Sequence, residues 1–252
     1  MIAKPINMKW LFTSLLVTVS LCSSAQDKLA PAKNVVDKKW LTSQQFQMIW
    51  YFLKDTARIE AGRFSTEIST VSGKLTLITR VTMKRSNAPW IDSSIALLKN
   101  LQPVYHSSYN AQRDMVLNFG NVVTGYYKDK TKNSMTVISD TTHEPYFDSN
   151  LYPSLVSWLP YKEGYKQDIA IYDYNPSGKI GVIKASIQDV KEGTFQSDRS
   201  GLRKVWVVTV TDELGGGESS NIYYIDSVDR RLWKQEINTA GRKMLMQRVE
   251  DN

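Results

Sequence analysis

Alternation of apolar and polar residues with a period of two is the feature that most constrains the fold of this chain. Along residues 74–84 one face carries Leu75, Leu77, Val81 and Met83 and the other carries Lys74, Thr76, Arg80, Thr82 and Lys84, with Ile78 as the exception. Successive side chains of a β-strand point to opposite sides of a sheet. The pattern is therefore typical of a half-buried antiparallel strand.

Nine further runs are rich in β-branched and aromatic residues and are predicted to be strands. They are residues 47–54, 115–119, 121–128, 167–174, 179–190, 203–211, 220–226, 232–237 and 242–249. Turn-forming residues stand at 72–73, 175–178, 215–217, 226–229 and 238–241. About ten strands joined by short turns predict a mainly β protein, an antiparallel meander that forms a strongly curved half-barrel or barrel.

One segment breaks the period of two and predicts a single short helix. Its apolar stripe at helical spacing consists of Leu151, Leu155, Trp158 and Leu159. We expect Asp148 or Ser149 to cap its start, Pro153 to lie in its first turn and Pro160 to end it. A helix in the middle of the meander is expected to plug the curved sheet or to pack on one side of it.

The first 25 residues have the three parts of a signal peptide and are not expected to belong to the fold. Two lysines precede an apolar run over residues 10–22, and small residues then lead to a predicted cut before Gln26. The apolar run is shorter than the ~20 residues of a membrane span, so the mature chain is expected to have no transmembrane segment. Acylation of Cys22, as in a lipoprotein, is the less favoured alternative because the bulky Leu21 precedes it.

The mature chain is predicted to contain one domain behind a short tether. Residues 26–40 are polar and rich in lysine, with Pro31 among them, which is typical of a linker. Residues 41–252 contain no second linker, no break in composition and no internal repeat. We therefore expect a single β-barrel-like domain over residues 41–252.

The composition argues against several kinds of chemistry. With one Cys and two His, neither a disulfide framework nor a His-based metal centre is expected. His106 and His143 are interpreted as exposed or hydrogen-bonded loop residues.

Residues 215–217 are interpreted as a mobile hairpin turn, because Glu218 stands where a phosphate would need positive charge. No nucleophile elbow is present. The sequence leaves an enzyme open without favouring it, and we predict no catalytic residue, cofactor or metal.

The chain has a formal net charge of +7, and basic residues cluster in three predicted hairpins. The clusters are Lys128, Lys130 and Lys132; Arg199, Arg203 and Lys204; and Arg230, Arg231 and Lys234. Solvated turns that discourage edge-to-edge aggregation explain them, and attraction to anionic lipid or polysaccharide is the alternative. Export and the lack of a recognition motif argue against a nucleic-acid partner.

Aromatic residues crowd the second half of the chain, and three of them are the candidate ligand-binding residues. Trp206, Tyr224 and Trp233 lie on predicted strands, where aromatic side chains of a curved sheet can line an apolar cavity. The same side chains also fit an ordinary core, because aromatic residues favour strands in any case.

Three short motifs, in the same order along the chain, resemble a known family. They are residues 147–151 with 159–165, residues 192–195 with 204–210, and residues 222–226 with 230–236. The resemblance covers about residues 145–250, and the family consists of exported bacterial proteins classified as a domain of unknown function, DUF3108. It implies a twisted antiparallel half-barrel or barrel, similar to periplasmic lipoprotein carriers, and it implies no catalytic residue.

Together these features predict an exported protein, periplasmic or associated with the cell envelope. Its curved sheet is expected to bind an apolar or amphiphilic ligand, with lipid as one candidate. The alternative is a structural or protein-interaction module of the envelope that has a solid core and an envelope protein as its partner.

Overall fold

Fifteen strands of the described residues form one sheet. The computed structural model describes residues 28–33, 35–214 and 217–250. The strands before the helix are β1 (Gln44–Lys54), β2 (Ala57–Val71), β3 (Lys74–Met83), β4 (Ser86–Leu97), β5 (Pro103–Tyr109), β6 (Arg113–Asn118), β7 (Val122–Asp129), β8 (Ser134–Thr141) and β9 (Phe147–Asp148). Helix α1 (Tyr152–Ser157) precedes β10 (Gln167–Tyr174), β11 (Ile180–Ser197), β12 (Gly201–Asp212), β13 (Ser219–Asp226), β14 (Leu232–Thr239) and β15 (Arg242–Arg248). The prediction of a mainly β meander with one short helix is confirmed.

The order of the strands forces the sheet to curl. The first strand, β1, pairs with the last strand, β15, so the chain meanders outward to β8 and returns inward from β9. Residues 142–146 alone join these two ends of the sheet, and such a connection spans at most about 21 Å. In a flat sheet, fourteen strand spacings would separate the same ends by about 67 Å. The sheet is therefore strongly curved, as a half-barrel that backbone pairing does not close.

Five of the fifteen strands are not among the ten predicted runs: β2, β4, β5, β8 and β9. On the edge strand β8 only Ile138 is buried, so the strand has little apolar alternation. Strand β9 has two residues, which pair in parallel with Ile171 and Tyr172 of β10. Backbone pairing with a neighbour, rather than a local pattern of side chains, makes such segments strands.

Helix α1 begins later than predicted. Its N-cap is Leu151, with no hydrogen bond from a capping side chain, so the expectation that Asp148 or Ser149 caps the helix is wrong. Asp148 belongs to β9, where its carboxylate binds side chains of other strands. Pro153 does lie in the first turn. The predicted stripe is buried over its whole length: Leu151, Leu155, Trp158 and Leu159.

Two hydrophobic clusters hold the curved sheet together. The larger one packs Leu155 of the helix with Leu77 of β3 and Val208 of β12, which lie on the two halves of the meander. The smaller one lies between the ends of the sheet and includes Leu117 of β6 and Tyr172 of β10. Side-chain packing thus bridges the gap that strand pairing leaves open.

The described part of the predicted tether lies against the domain. Leu29 is buried and forms a parallel β-bridge with Ile169 of β10. The ammonium group of Lys28 is 3.0 Å from the carboxylate of Glu144. The segment therefore covers part of the outer edge of β10, where unpaired backbone groups would otherwise be exposed.

The predicted export signal lies outside the described residues. This holds for residues 1–25, for Cys22 among them and for the predicted mature start at Gln26, and also for residues 215–216 of the glycine turn. Export and the boundaries of the tether and the domain stay predictions. Across residues 28–33, 35–214 and 217–250, every helix is too short or too polar to cross a membrane.

Candidate functional site

A cavity of about 180 Å³ lies on the concave side of the sheet, beneath helix α1, and is partly open to solvent. The central strands β1 and β15, with β2, β3, β4 and β14, form one wall, and α1 together with Trp158 forms the other. Its apolar lining consists of Phe46, Met48, Phe64, Ile68, Leu77, Pro153, Trp158, Leu232 and Met246.

Alternation along the central strands directs every second side chain to this cavity. Phe46 and Met48 of β1 line it, as do Thr66 and its neighbours two positions away on β2. The helix faces it with the small side chains of Ser154 and Ser157. A helix of six residues that presents two serines leaves the space above the central strands unfilled.

Arg230 brings a positive charge to the edge of the cavity. It lies in the turn between β13 and β14 and has a positive φ of 62°, unusual for a residue with a side chain. Its side chain is half-buried, and its Nε and Nη1 atoms are buried without a hydrogen-bond partner among the described residues. Burial lowers the pKa of Arg230. The guanidinium carbon lies 5.4 Å from the centroid of the Trp40 ring and 5.6 Å from that of Tyr161.

A second buried polar cluster lies where β4, β5 and β9 meet. Asp148 is at its centre: Ser94 Oγ donates to Asp148 Oδ2, and His106 Nδ1 donates to Asp148 Oδ1 at 2.9 Å. The Nδ2 of Asn150 donates to Ser94 Oγ at 2.8 Å. Burial lowers the pKa of His106, but the charge of Asp148 and its hydrogen bond outweigh burial and raise the pKa above its ordinary value.

This cluster has the residue types of a hydrolytic triad in the wrong order. A serine nucleophile needs the histidine between itself and the carboxylate, so that the imidazole can take the hydroxyl proton. Here Ser94 and His106 both bind Asp148, and no base of the described residues accepts a hydrogen bond from the serine hydroxyl in place of Asp148. The arrangement stabilises the meeting of three strands. Within the described ranges, no three His, Cys, Asp or Glu side chains lie together in a way that could hold a metal ion.

His106 corrects one interpretation of the sequence. It is a buried residue of β5, not a loop residue, although it is hydrogen-bonded as expected. His143 is exposed and lies outside the strands. The sequence gave no sign that His106 contacts Asp148, because the two residues are far apart along the chain and the curl of the sheet brings them together.

The three predicted ligand-binding residues lie in three different surroundings. Trp206 is half-buried, 6.4 Å from the ring of Tyr161, and lines a separate surface groove. The ammonium group of Lys234 lies over the ring of Tyr224, 3.8 Å from the ring centroid. Trp233 is 1% exposed and donates from Nε1 to Asp226 Oδ2 at 3.0 Å. Within the described chain the cavity beneath α1 is lined by other residues, and ligand binding by these three stays a prediction.

The basic hairpins are largely paired with acids of their own neighbourhood. Lys130 Nζ is 2.6 Å from Asp114, and Lys132 Nζ is 3.6 Å from Asp129. Arg203 Nε donates to the fully buried Asp226 at 2.8 Å. The interpretation as solvated turns was wrong for Arg230, whose side chain reaches the cavity instead. A local sequence pattern has no signal for this, because the path of a turn side chain depends on what packs beside it.

Comparison with known proteins gives one family. A family model described as "Protein of unknown function (DUF3108)" matches residues 45–250, most of the chain. No curated protein and no solved structure matches the chain. The expected similarity to periplasmic lipoprotein carriers therefore stays a prediction.

Proposed function

This chain belongs to the DUF3108 family of proteins of unknown function, and from the geometry of its cavity we propose that it binds an apolar or amphiphilic molecule. The concave cavity beneath α1 is the observation that carries the proposal. Nine apolar and ten polar residues line it, a mixture that suits a molecule with an apolar part and a polar part.

The size of the cavity supports a small apolar group or part of an acyl chain as the occupant. Apolar cavities of about 150 Å³ in protein interiors bind molecules such as benzene. The present cavity is slightly larger, at about 180 Å³, and is partly open, so a longer molecule can extend out of it. Burial of apolar ligand surface there contributes roughly 25 cal/mol per Å² before the costs of binding are subtracted.

We propose further that the protein acts in the cell envelope after export, as its N-terminal sequence predicts. Intact-mass measurement of the protein extracted from the envelope tests this. A chain that begins at Gln26 supports cleavage and release, and a mass increased by acyl groups on Cys22 supports the lipoprotein alternative. An uncleaved chain in the cytoplasmic fraction would contradict export.

A block of the cavity tests the binding proposal. Thr79 of β3 lines the cavity, and Thr82 on the same strand is exposed. We expect Thr79→Trp to fill the space and to weaken binding of N-phenylnaphthylamine, a neutral fluorescent probe, at least about tenfold. The matched control Thr82→Trp should bind the probe as the unmodified protein does. Equal binding by all three proteins, or no binding by any of them, would contradict a ligand in this cavity.

A further inference from the structure

We propose that the ligand of the concave cavity is an anionic amphiphile and that Arg230 binds its carboxylate or phosphate head group. This inference rests on the proposed function, since it names the chemical class of the molecule in that same cavity. Its basis is the side chain of Arg230, whose buried donors have no partner among the described residues and whose guanidinium group lies beside two aromatic rings.

Two N–H groups of the Arg230 guanidinium have no hydrogen-bond acceptor in the described part of the chain. Nε and Nη1 are out of contact with solvent, and neither has an acceptor among the described residues. A buried donor without a partner costs free energy, and a buried charge without a counter-ion costs more. An oxygen anion at the cavity edge would supply the opposite charge there, and it would reach the two buried donors once the side chain turns toward the cavity.

The acids of the same hairpin do not neutralise this charge. Asp226, which ends β13, binds Arg203 and Trp233, and Asp229 lies 3.6 Å from Arg231. Arg230 stands between two arginine–carboxylate pairs, yet it forms no ion pair of its own in the described chain. The two acids of this hairpin therefore pair with Arg203 and Arg231, and neither of them neutralises the charge of Arg230.

Aromatic contacts hold the guanidinium in place instead. The rings of Trp40 and Tyr161 lie within 6 Å of it, the range of a cation–π interaction. Such contacts fix the position of the charge without using its N–H donors. The side chain is thereby positioned for a partner that approaches from the cavity.

The charges around the cavity favour an anion over a cation. Arg230 lines it without an ion pair in the described chain, and Arg248, which lies 4.6 Å from the ring centroid of Phe46 and has partners of its own, also lines it, as does the carboxylate of Asp92 on β4. Asp92 Oδ2 accepts a hydrogen bond from Trp90 Nε1 at 2.8 Å, whereas Asp92 Oδ1 is buried without a partner among the described residues. Decyltrimethylammonium therefore tests the opposite preference, for a cationic head group at Asp92. An acyl chain among the apolar residues with its acidic head at Arg230 matches both halves of the site.

Four probes with the same alkyl chain test the head-group preference. We would measure the dissociation constants of undecanoate, decyl phosphate, decanol and decyltrimethylammonium, which all carry a ten-carbon chain, by displacement of N-phenylnaphthylamine. At least one anion should bind about tenfold or more tightly than decanol, as expected for a hydrogen-bonded charge pair. The two anions distinguish a carboxylate from a phosphate head group.

Substitution of the arginine completes the test. Arg230→Met should remove the advantage of the anion and leave the affinity for decanol unchanged, whereas the control Arg231→Met should keep the advantage. Arg230→Gln serves as a second neutral variant if Arg230→Met does not fold. The inference is overturned if decanol binds as tightly as both anions, if Arg230→Met keeps the preference, or if Thr79→Trp still binds the anions. Failure of decanol and the dye to bind at all would instead overturn the proposed function.

Discussion

His106 on β5 and Asp148 on β9 are joined by a hydrogen bond of 2.9 Å, although their strands are not neighbours in the sheet. Both residues are buried, and each belongs to a different half of the meander. The contact therefore connects the two halves across the gap that strand pairing leaves open. Its strength depends on the protonation of the imidazole, which makes the connection sensitive to pH.

The stability that His106 contributes should be present at low pH and lost as the pH rises. Asp148 raises the pKa of His106 above the ordinary value of 6.5, so the fold favours the protonated form. This contribution is complete below about pH 6.5 and disappears as the pH passes the higher pKa of the folded state. Urea unfolding between about pH 5.5 and pH 8.5 should show the free energy difference between the unmodified protein and His106→Gln shrinking with pH. The exposed His143→Gln is the control, and a difference that stays constant or grows would contradict the assignment.

Replacement of Asp226 by Asn should destabilise the hairpin between β13 and β14. The carboxylate is fully buried, and although burial alone raises its pKa, hydrogen bonds from Arg203 and Trp233 bring it below the ordinary value. Asp226→Asn removes the charge that Arg203 binds, which we expect to lower the free energy of unfolding by about 2–3 kcal/mol.

Asp229 in the same turn provides the matched control for this prediction. Its pair with Arg231 is largely exposed, so Asp229→Asn should cost less than about 1 kcal/mol. Both variants can be compared by urea unfolding at neutral pH. Equal losses for the two variants would show that burial of Asp226 adds nothing.

Arg230→Met should make the protein without ligand more stable, by about 1 kcal/mol. The substitution removes a half-buried charge whose Nε and Nη1 lack acceptors in the described part of the chain, and replaces it with an apolar side chain beside Trp40 and Tyr161. Thermal unfolding of the delipidated protein measures the change. The exposed, ion-paired Arg231 gives the comparison, since Arg231→Met should not increase stability. A loss of stability on Arg230→Met would mean that its aromatic contacts outweigh its missing partners.

Gly125→Ala should be strongly destabilising, because β7 approaches β6 too closely for any side chain at this position. A Cβ atom there would lie 1.9 Å from the carbonyl oxygen of Val116. We expect a loss of about 2–4 kcal/mol in the free energy of unfolding, as for other overpacked sites. Gly217 has open space around its Cβ position, so Gly217→Ala should change stability by less than about 0.5 kcal/mol. A small effect at Gly125 would show that the two strands can move apart cheaply.

Local patterns predicted many elements of this fold correctly. The alternation over residues 74–84 corresponds to β3 (Lys74–Met83), and the apolar stripe of the short helix is buried. Strands such as β8 and β9 were missed because their pairing partners, rather than their own side-chain pattern, define them. Alternation is a property of a single strand, whereas pairing is a property of two.

The candidate site shows the same limit at the level of single residues. Tyr223 and Tyr224 are adjacent, so they point to opposite faces of β13, and it is Tyr223 that is buried in the core. The pairing of β13 with β14 also shifts register between Tyr224 and Ile225. Residue type alone could not separate these faces, which is why Trp206, Tyr224 and Trp233 were grouped from the sequence although the structure separates them.

By itself the amino-acid sequence determined that the chain forms a β meander with one short helix, because alternation, turn residues and prolines act over a few neighbouring positions. The tertiary structure alone decided that β1 lies beside β15, that a cavity remains beneath the two serines of α1, and that two buried nitrogen atoms of Arg230 have no hydrogen-bond partner among the described residues. These features depend on which distant strands meet and in what register. Steric preferences along the backbone are local, but the partners available to a side chain are chosen by the whole fold.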